Sequence, residues 1–138
     1  MRVVEQWGDS LSAAVLVVDD DAALTEALKF AMELEGFSVE TYPDGESLLN
    51  KRSFPKHGCM VIDVKLPGVN GLELVRRLRA RKVTLPAVLM TTNPPSSLRI
   101  HAAAAGVPIV EKPLLRDELI DTVRTLVALE PGGAKAHG

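Results

Sequence analysis

Val15-Leu16-Val17-Val18-Asp19-Asp20-Asp21 is an apolar run that stops abruptly in carboxylates. Three of its four apolar residues are β-branched, the composition of a buried strand. Carboxylates this close repel one another, by roughly 4 kcal/mol per pair at 4 Å and an effective dielectric of 20. The cluster is costly unless a cation or a proton compensates it. Two readings are open from this stretch alone. One Asp caps the next helix while the others face water. Alternatively, the strand delivers charge to its C-terminal end, where open α/β sheets bind ligands.

The rest of the chain repeats the gesture. Cys59-Met60-Val61-Ile62-Asp63 is again apolar and closed by Asp, and the turn-rich loop Val64-Lys65-Leu66-Pro67-Gly68-Val69-Asn70-Gly71 follows it. Ala87-Val88-Leu89-Met90 ends in Thr91-Thr92, and Val107-Pro108-Ile109-Val110 ends in Glu111-Lys112-Pro113. A further strand is expected over 38–41. Helical patterns separate these runs. The first begins near Ala22 with Asp20 or Asp21 as N-cap, carries the stripe Leu24, Ala27, Leu28, Ala31 and Leu34, and stops at Gly36. A short helix is expected over 45–50. A third, over 71–81, buries Leu72, Val75 and Leu78 and turns an Arg-rich face to water. An Ala-rich helix spans 96–105. The last, over 114–129, buries Leu119, Val123, Leu126 and Val127. This alternation predicts an α/β domain, a flavodoxin-like (βα)5 doubly wound parallel sheet with strand order 2-1-3-4-5. Pro108 cannot donate a ladder hydrogen bond, which places the last strand at an edge.

Composition narrows the class. The chain has 138 residues and net charge −2, with no basic stripe to suggest nucleic-acid binding. Its single cysteine, Cys59, reads as a buried reduced thiol. No apolar run reaches the length of a membrane span, and Met1 to Ser12 lacks a secretory signal pattern. A cytoplasmic setting is expected. His57 and His101 have no metal-ligand partners at useful spacing and read as surface residues. Three segments are expected: an N-terminal extension over 1–13, with Val3, Val4, Trp7 and Leu11 at roughly helical spacing; a main domain over 14–129; and a flexible Gly-rich C-terminal tail over 130–138.

Asp19-Asp20, Asp63 with its Leu-Pro-Gly-Val-Asn-Gly loop, Thr91 and Lys112-Pro113, in this order, resemble the receiver domain of bacterial two-component response regulators. The resemblance covers about 14–129. It implies Asp63 as phosphoryl acceptor, with Asp19, Asp20, Asp63 and the backbone carbonyl of Lys65 holding Mg²⁺ (or Mn²⁺). Thr91 and Lys112 would contact the phosphoryl oxygens, and a cis Lys112–Pro113 bond would aim the lysine inward. A histidine kinase or histidine phosphotransfer protein would supply the phosphoryl group. It would dock near Ala23, Leu24, Ala27 and the 112–115 loop. The chain would catalyse only its own phosphorylation and dephosphorylation, so it would be no enzyme in the ordinary sense. Output would pass through protein contacts or through a domain absent from this chain, and the face of helix four, strand five and helix five could form a homodimer.

The chain also departs from the pattern. Receivers place an aromatic residue three positions before the lysine, as partner of the switching Thr; here Ile109 stands there. The segment between Gly106 and Lys112 looks one residue short, and Pro94-Pro95 stiffens the loop after Thr91. A complete acceptor site with an altered relay is the expectation. Two rivals share the fold class. A haloacid-dehalogenase-type phosphohydrolase needs a second Asp two residues after its nucleophile, a spacing that Asp19 and Asp21 have and Asp63 lacks. A flavin-binding protein needs a phosphate loop where this chain places acid.

Overall fold

The computed structural model describes residues 13–129. The opening apolar run forms β1 (Ala14–Val18), followed by α1 (Ala22–Leu34), β2 (Ser38–Tyr42) and α2 (Gly45–Leu49). Then come β3 (Gly58–Asp63), α3 (Gly71–Ala80), β4 (Ala87–Thr91), α4 (Ser96–Ala104), β5 (Ile109–Glu111) and α5 (Arg116–Leu129). The five strands are parallel, in the order β2-β1-β3-β4-β5.

Strand alternation sorts the core into two layers. Leu16, Val18, Met60, Ile62 and Leu89 meet side chains of α2, α3 and α4 on one face. Val15, Val17, Cys59, Val61, Val88, Met90 and Val110 meet α1 and α5 on the other. Because β3 and β4 are buried along their whole length, their sequences read as continuous apolar runs rather than as alternation.

The chain reversals use side-chain caps. Of the two candidates, Asp21 is the N-cap of α1, accepting from the Leu24 amide at 3.1 Å. Asp44 and Asn70 cap α2 and α3 in the same way.

Three expectations shift in detail. The buried face of α1 is Thr25, Leu28 and Met32; Ala27 is exposed and Leu34 is 63% exposed. Thr25 can face the sheet because its hydroxyl donates to the Ala22 carbonyl at 3.0 Å, while alanines on both sides of the helix blur its periodicity. In α5, Leu119, Ile120 and Val123 are buried, whereas Leu126 and Val127 are half-buried at the rim of the second layer. Pro108 precedes β5 rather than lying in it. Its carbonyl accepts from the Leu89 amide at 2.9 Å, so the missing N–H falls outside the ladder of an edge strand. The helical spacing of Val3, Val4, Trp7 and Leu11 and the tail over 130–138 lie outside the described residues. Ala13 is buried, and its carbonyl accepts from the Ser38 amide.

Candidate functional site

Parallel strands place their C-terminal ends on one edge, and there the polar residues gather. Asp19 follows β1, Asp63 and Thr91 end β3 and β4, and Lys112 follows β5. Asp19 and Asp63 are 2% and 6% exposed, a burial that carboxylates tolerate only with partners. The Lys112 ammonium supplies one: Nζ lies 3.3 Å from Asp19 Oδ2 and 3.3 Å from Asp63 Oδ2. Backbone amides satisfy the other oxygens. Asp21 N donates to Asp19 Oδ1 at 2.9 Å, and Lys65 N donates to Asp63 Oδ1 at 3.2 Å. The Lys112–Pro113 peptide is cis.

Asp63 is held in place from behind. The Gly71 amide donates to the Val64 carbonyl at 2.9 Å, drawing the start of α3 against the end of β3. A Cβ on Gly71 would stand 2.4 Å from the Asp63 carbonyl oxygen, so only glycine permits this approach.

Charge in the site is unbalanced. Burial, then the neighbouring Asp19 charge, pushes the Asp63 carboxyl above its ordinary range; Lys112 and the Lys65 amide oppose this. Burial alone would lower Lys112, but the charges of Asp63 and Asp19 outweigh it and leave the ammonium above its usual value. One lysine therefore serves two buried acids, and a third carboxylate adds to the excess. Asp19, Asp20 and Asp63 each bring an oxygen within 4.8 Å of the others. Asp20 is exposed and fronts an open groove of about 970 Å³, lined also by Lys65, Leu66, Thr91, Leu98 and His101. An all-oxygen, carboxylate-rich donor set of this kind suits a hard divalent cation such as Mg²⁺.

The structure thus brings together Asp19, Asp20, Asp63, Thr91 and Lys112, with Lys65 at the rim. Thr91 is buried, and its carbonyl accepts from the Lys112 amide at 2.8 Å. Ile109 stands apart. It is half-buried on the α4 side of the sheet and lines a separate cleft of about 390 Å³ with Arg99, Ala102 and Val107. His101 is exposed and His57 half-buried. Sequence reasoning missed the pairing of Glu111 with Arg99 at 2.6 Å, because nothing in a linear pattern sets a β5 acid against an α4 base.

The comparisons with known proteins agree with this geometry. The family model described as the response regulator receiver domain matches residues 15–124. The chain is 32% identical over 124 residues to the transcriptional regulatory protein FixJ of Bradyrhizobium diazoefficiens, covering 89% of this chain and 60% of that protein. It is 34% identical over 118 residues to the response regulator MprA of Mycobacterium tuberculosis, covering 85% of this chain and 51% of that one. The receiver domain of the Francisella response regulator 1452 superposes with a TM-score of 0.74 at 27% identity, over 84% of this chain and 97% of that one. The chain belongs to the receiver-domain family of two-component response regulators. It spans 60% and 51% of the two curated relatives named. Among the described residues no helix is long and apolar enough to cross a membrane.

Proposed function

We propose that this domain is a phosphorylation-dependent signalling module whose acceptor is Asp63. The observation that carries the reading is a buried, ionisable carboxylate at a strand end, within 3.3 Å of an ammonium and beside two further carboxylates. A carboxylate can act as nucleophile and form an acyl phosphate. One Asp63 oxygen bonds the donor's phosphorus, the bond from phosphorus to the donor breaks, and the donor leaves with that electron pair. No proton need leave Asp63, provided it is ionised.

This chain's residues then hold the group. Lys112 pairs with one phosphoryl oxygen, exchanging its contact to Asp63 for one to the new anion. The Thr91 hydroxyl donates to another. Asp19, Asp20 and Asp63, with the Lys65 carbonyl, are the residues that would hold Mg²⁺ or Mn²⁺. The ion, when bound, supplies positive charge against the charge on the transferring group. The donor is a histidine kinase or phosphotransfer protein, docking on the exposed Ala23 and Ala27 and the half-buried Leu24 of α1 and on the 112–115 loop. The chain turns over no other substrate, acts in the cytoplasm, and passes its signal by protein contacts or through an output domain absent from this chain, with 14–129 as the folded unit.

The phosphohydrolase alternative loses its main support. Its spacing requires Asp21 as a second catalytic acid, and the Asp21 carboxylate instead caps α1. Incubation with Mg²⁺ and a small-molecule phosphodonor, followed by intact mass, tests the reading. One added phosphoryl group, absent in Asp63→Asn, is expected. Phosphorylation that persists in Asp63→Asn would overturn it.

A further inference from the structure

Thr91 and Glu111 face each other across the β4–β5 ladder, and the Lys112 amide donates to the Thr91 carbonyl at 2.8 Å. Glu111 lies two residues beyond Ile109, so strand alternation turns it to the same, α4-facing side of the sheet. There its carboxylate meets the Arg99 guanidinium of α4 at 2.6 Å. The next residue, Lys112, turns to the opposite side and reaches Asp19 and Asp63. Two adjacent residues thus hold the acceptor carboxylate and α4. Between α4 and β5 the cleft beside Ile109 is lined by Arg99, Val107 and Pro108 and by the small residues Ala102, Ala103 and Gly106.

We infer that the Arg99–Glu111 pair is the mechanical link between the acceptor site and α4, in the place where an aromatic residue would otherwise couple β5 to that helix. Displacement of Lys112 toward a phosphoryl group on Asp63 moves the backbone it shares with Glu111. The ion pair carries that motion to Arg99, one turn into α4. Because both partners are about half exposed, the bias transmitted is limited, at most about five-fold in population. The inference rests on Asp63 being the phosphoryl acceptor.

Backbone amide shifts with Mg²⁺ and beryllofluoride test it in the wild type, in Glu111→Gln and in the exchanged pair Arg99→Glu with Glu111→Arg. In Glu111→Gln the response of 96–104 should fall by at least half, while shifts around Asp63 and Lys65 stay at wild-type size. The exchanged pair should restore the α4 response, which loss of stability alone would not do. Arg99→Gln should repeat the Glu111→Gln result and replaces the exchanged pair if that variant does not fold. An α4 response unchanged in Glu111→Gln, or unrestored by the exchange in a folded protein, would overturn the link. Absence of shifts near Asp63 in the wild type would instead overturn the acceptor reading, and the link with it.

Discussion

The β1–β3 end of the sheet edge and the β4–α4–β5 end handle charge in opposite ways. At the first, Asp19 and Asp63 are buried and share one ammonium. At the second, Glu111 and Arg99 pair in the open, with side chains 49% and 54% exposed. Buried ions are costly to strand, so the first end tolerates little change and responds sharply to any new charge. Exposed pairs contribute little and are screened by salt. On the proposed function, chemistry belongs to the buried end, and the exposed end can only bias a conformation.

The sharpest way to break this contrast is Asp63→Asn. Phosphorylation should be lost entirely, with no added mass after treatment with phosphodonor. The fold should persist, and the melting temperature without metal should match or exceed that of the wild type. The sign follows from the raised pKa of Asp63, produced by burial and by Asp19. An acid raised in the folded state stabilises fully below its unfolded value and loses that contribution as pH climbs through the folded value. At neutral pH the ionised Asp63 therefore opposes folding, and the amide removes the opposition. A clearly lower melting temperature would contradict this account.

Asp20→Ala should weaken Mg²⁺ binding about tenfold or more, since it removes a ligand and a charge together. Asp63→Asn should rank next, and titration of the two variants gives the order. Mg²⁺ should also raise the melting temperature of the wild type, because the ion binds the folded site and not the unfolded chain. Equal affinity in wild type and Asp20→Ala would mean that the acidic cluster holds no metal.

Lys112→Met tests the shared ammonium. It leaves two buried carboxylates without their cation and should destabilise the metal-free fold by roughly 1–3 kcal/mol at neutral pH. The loss should shrink on acidification, as Asp63 takes up a proton above the ordinary carboxylate range. It should shrink again when Asp63→Asn is added. Additive effects of the two substitutions in chemical denaturation would show that Lys112 and Asp63 are not coupled.

The smallest effect belongs to the exposed end. Ile109→Tyr places a ring in the cleft between α4 and β5, where Ala102, Ala103 and Gly106 leave room. Stability should change by less than about 1.5 kcal/mol. The amide shifts induced by beryllofluoride over 96–110 should grow. A response no larger than in the wild type would mean that Pro94 and Pro95 limit this region, whatever residue stands at 109.

The legible parts of the molecule were those in which one residue type had one physical use. Strands ending in Asp19, Asp63, Thr91 and Lys112 announced both the sheet and its polar edge, because four of the five strands meet that edge in a charged or hydroxyl side chain. The α1 face was harder to read. Thr25 is polar by composition yet buried, since its hydroxyl is satisfied within its own helix turn. Arg99 and Glu111 were illegible for another reason. Their contact depends on how α4 crosses β5, which no local pattern encodes. Asp21 shows the middle case: the sequence offered two candidate caps, and only backbone geometry chose between them.

The ammonium shared by Asp19 and Asp63 has a consequence for the order of folding. Lys112 lies 93 residues from Asp19 and 49 from Asp63 along the chain, whereas β1 and β3 are direct neighbours in the sheet. A nascent or refolding chain that pairs β1 with β3 brings the two carboxylates together before β5 arrives with its cation. Partly assembled states thus carry in full a repulsion that Lys112 partly offsets in the finished domain, and closing so long a loop is slow in itself. If the acidic cluster holds Mg²⁺, the ion would stand in for the missing lysine at that stage and should accelerate refolding as well as stabilise the product. Stopped-flow refolding with and without Mg²⁺ measures this, and equal rates would show that β5 docks before the two acids meet.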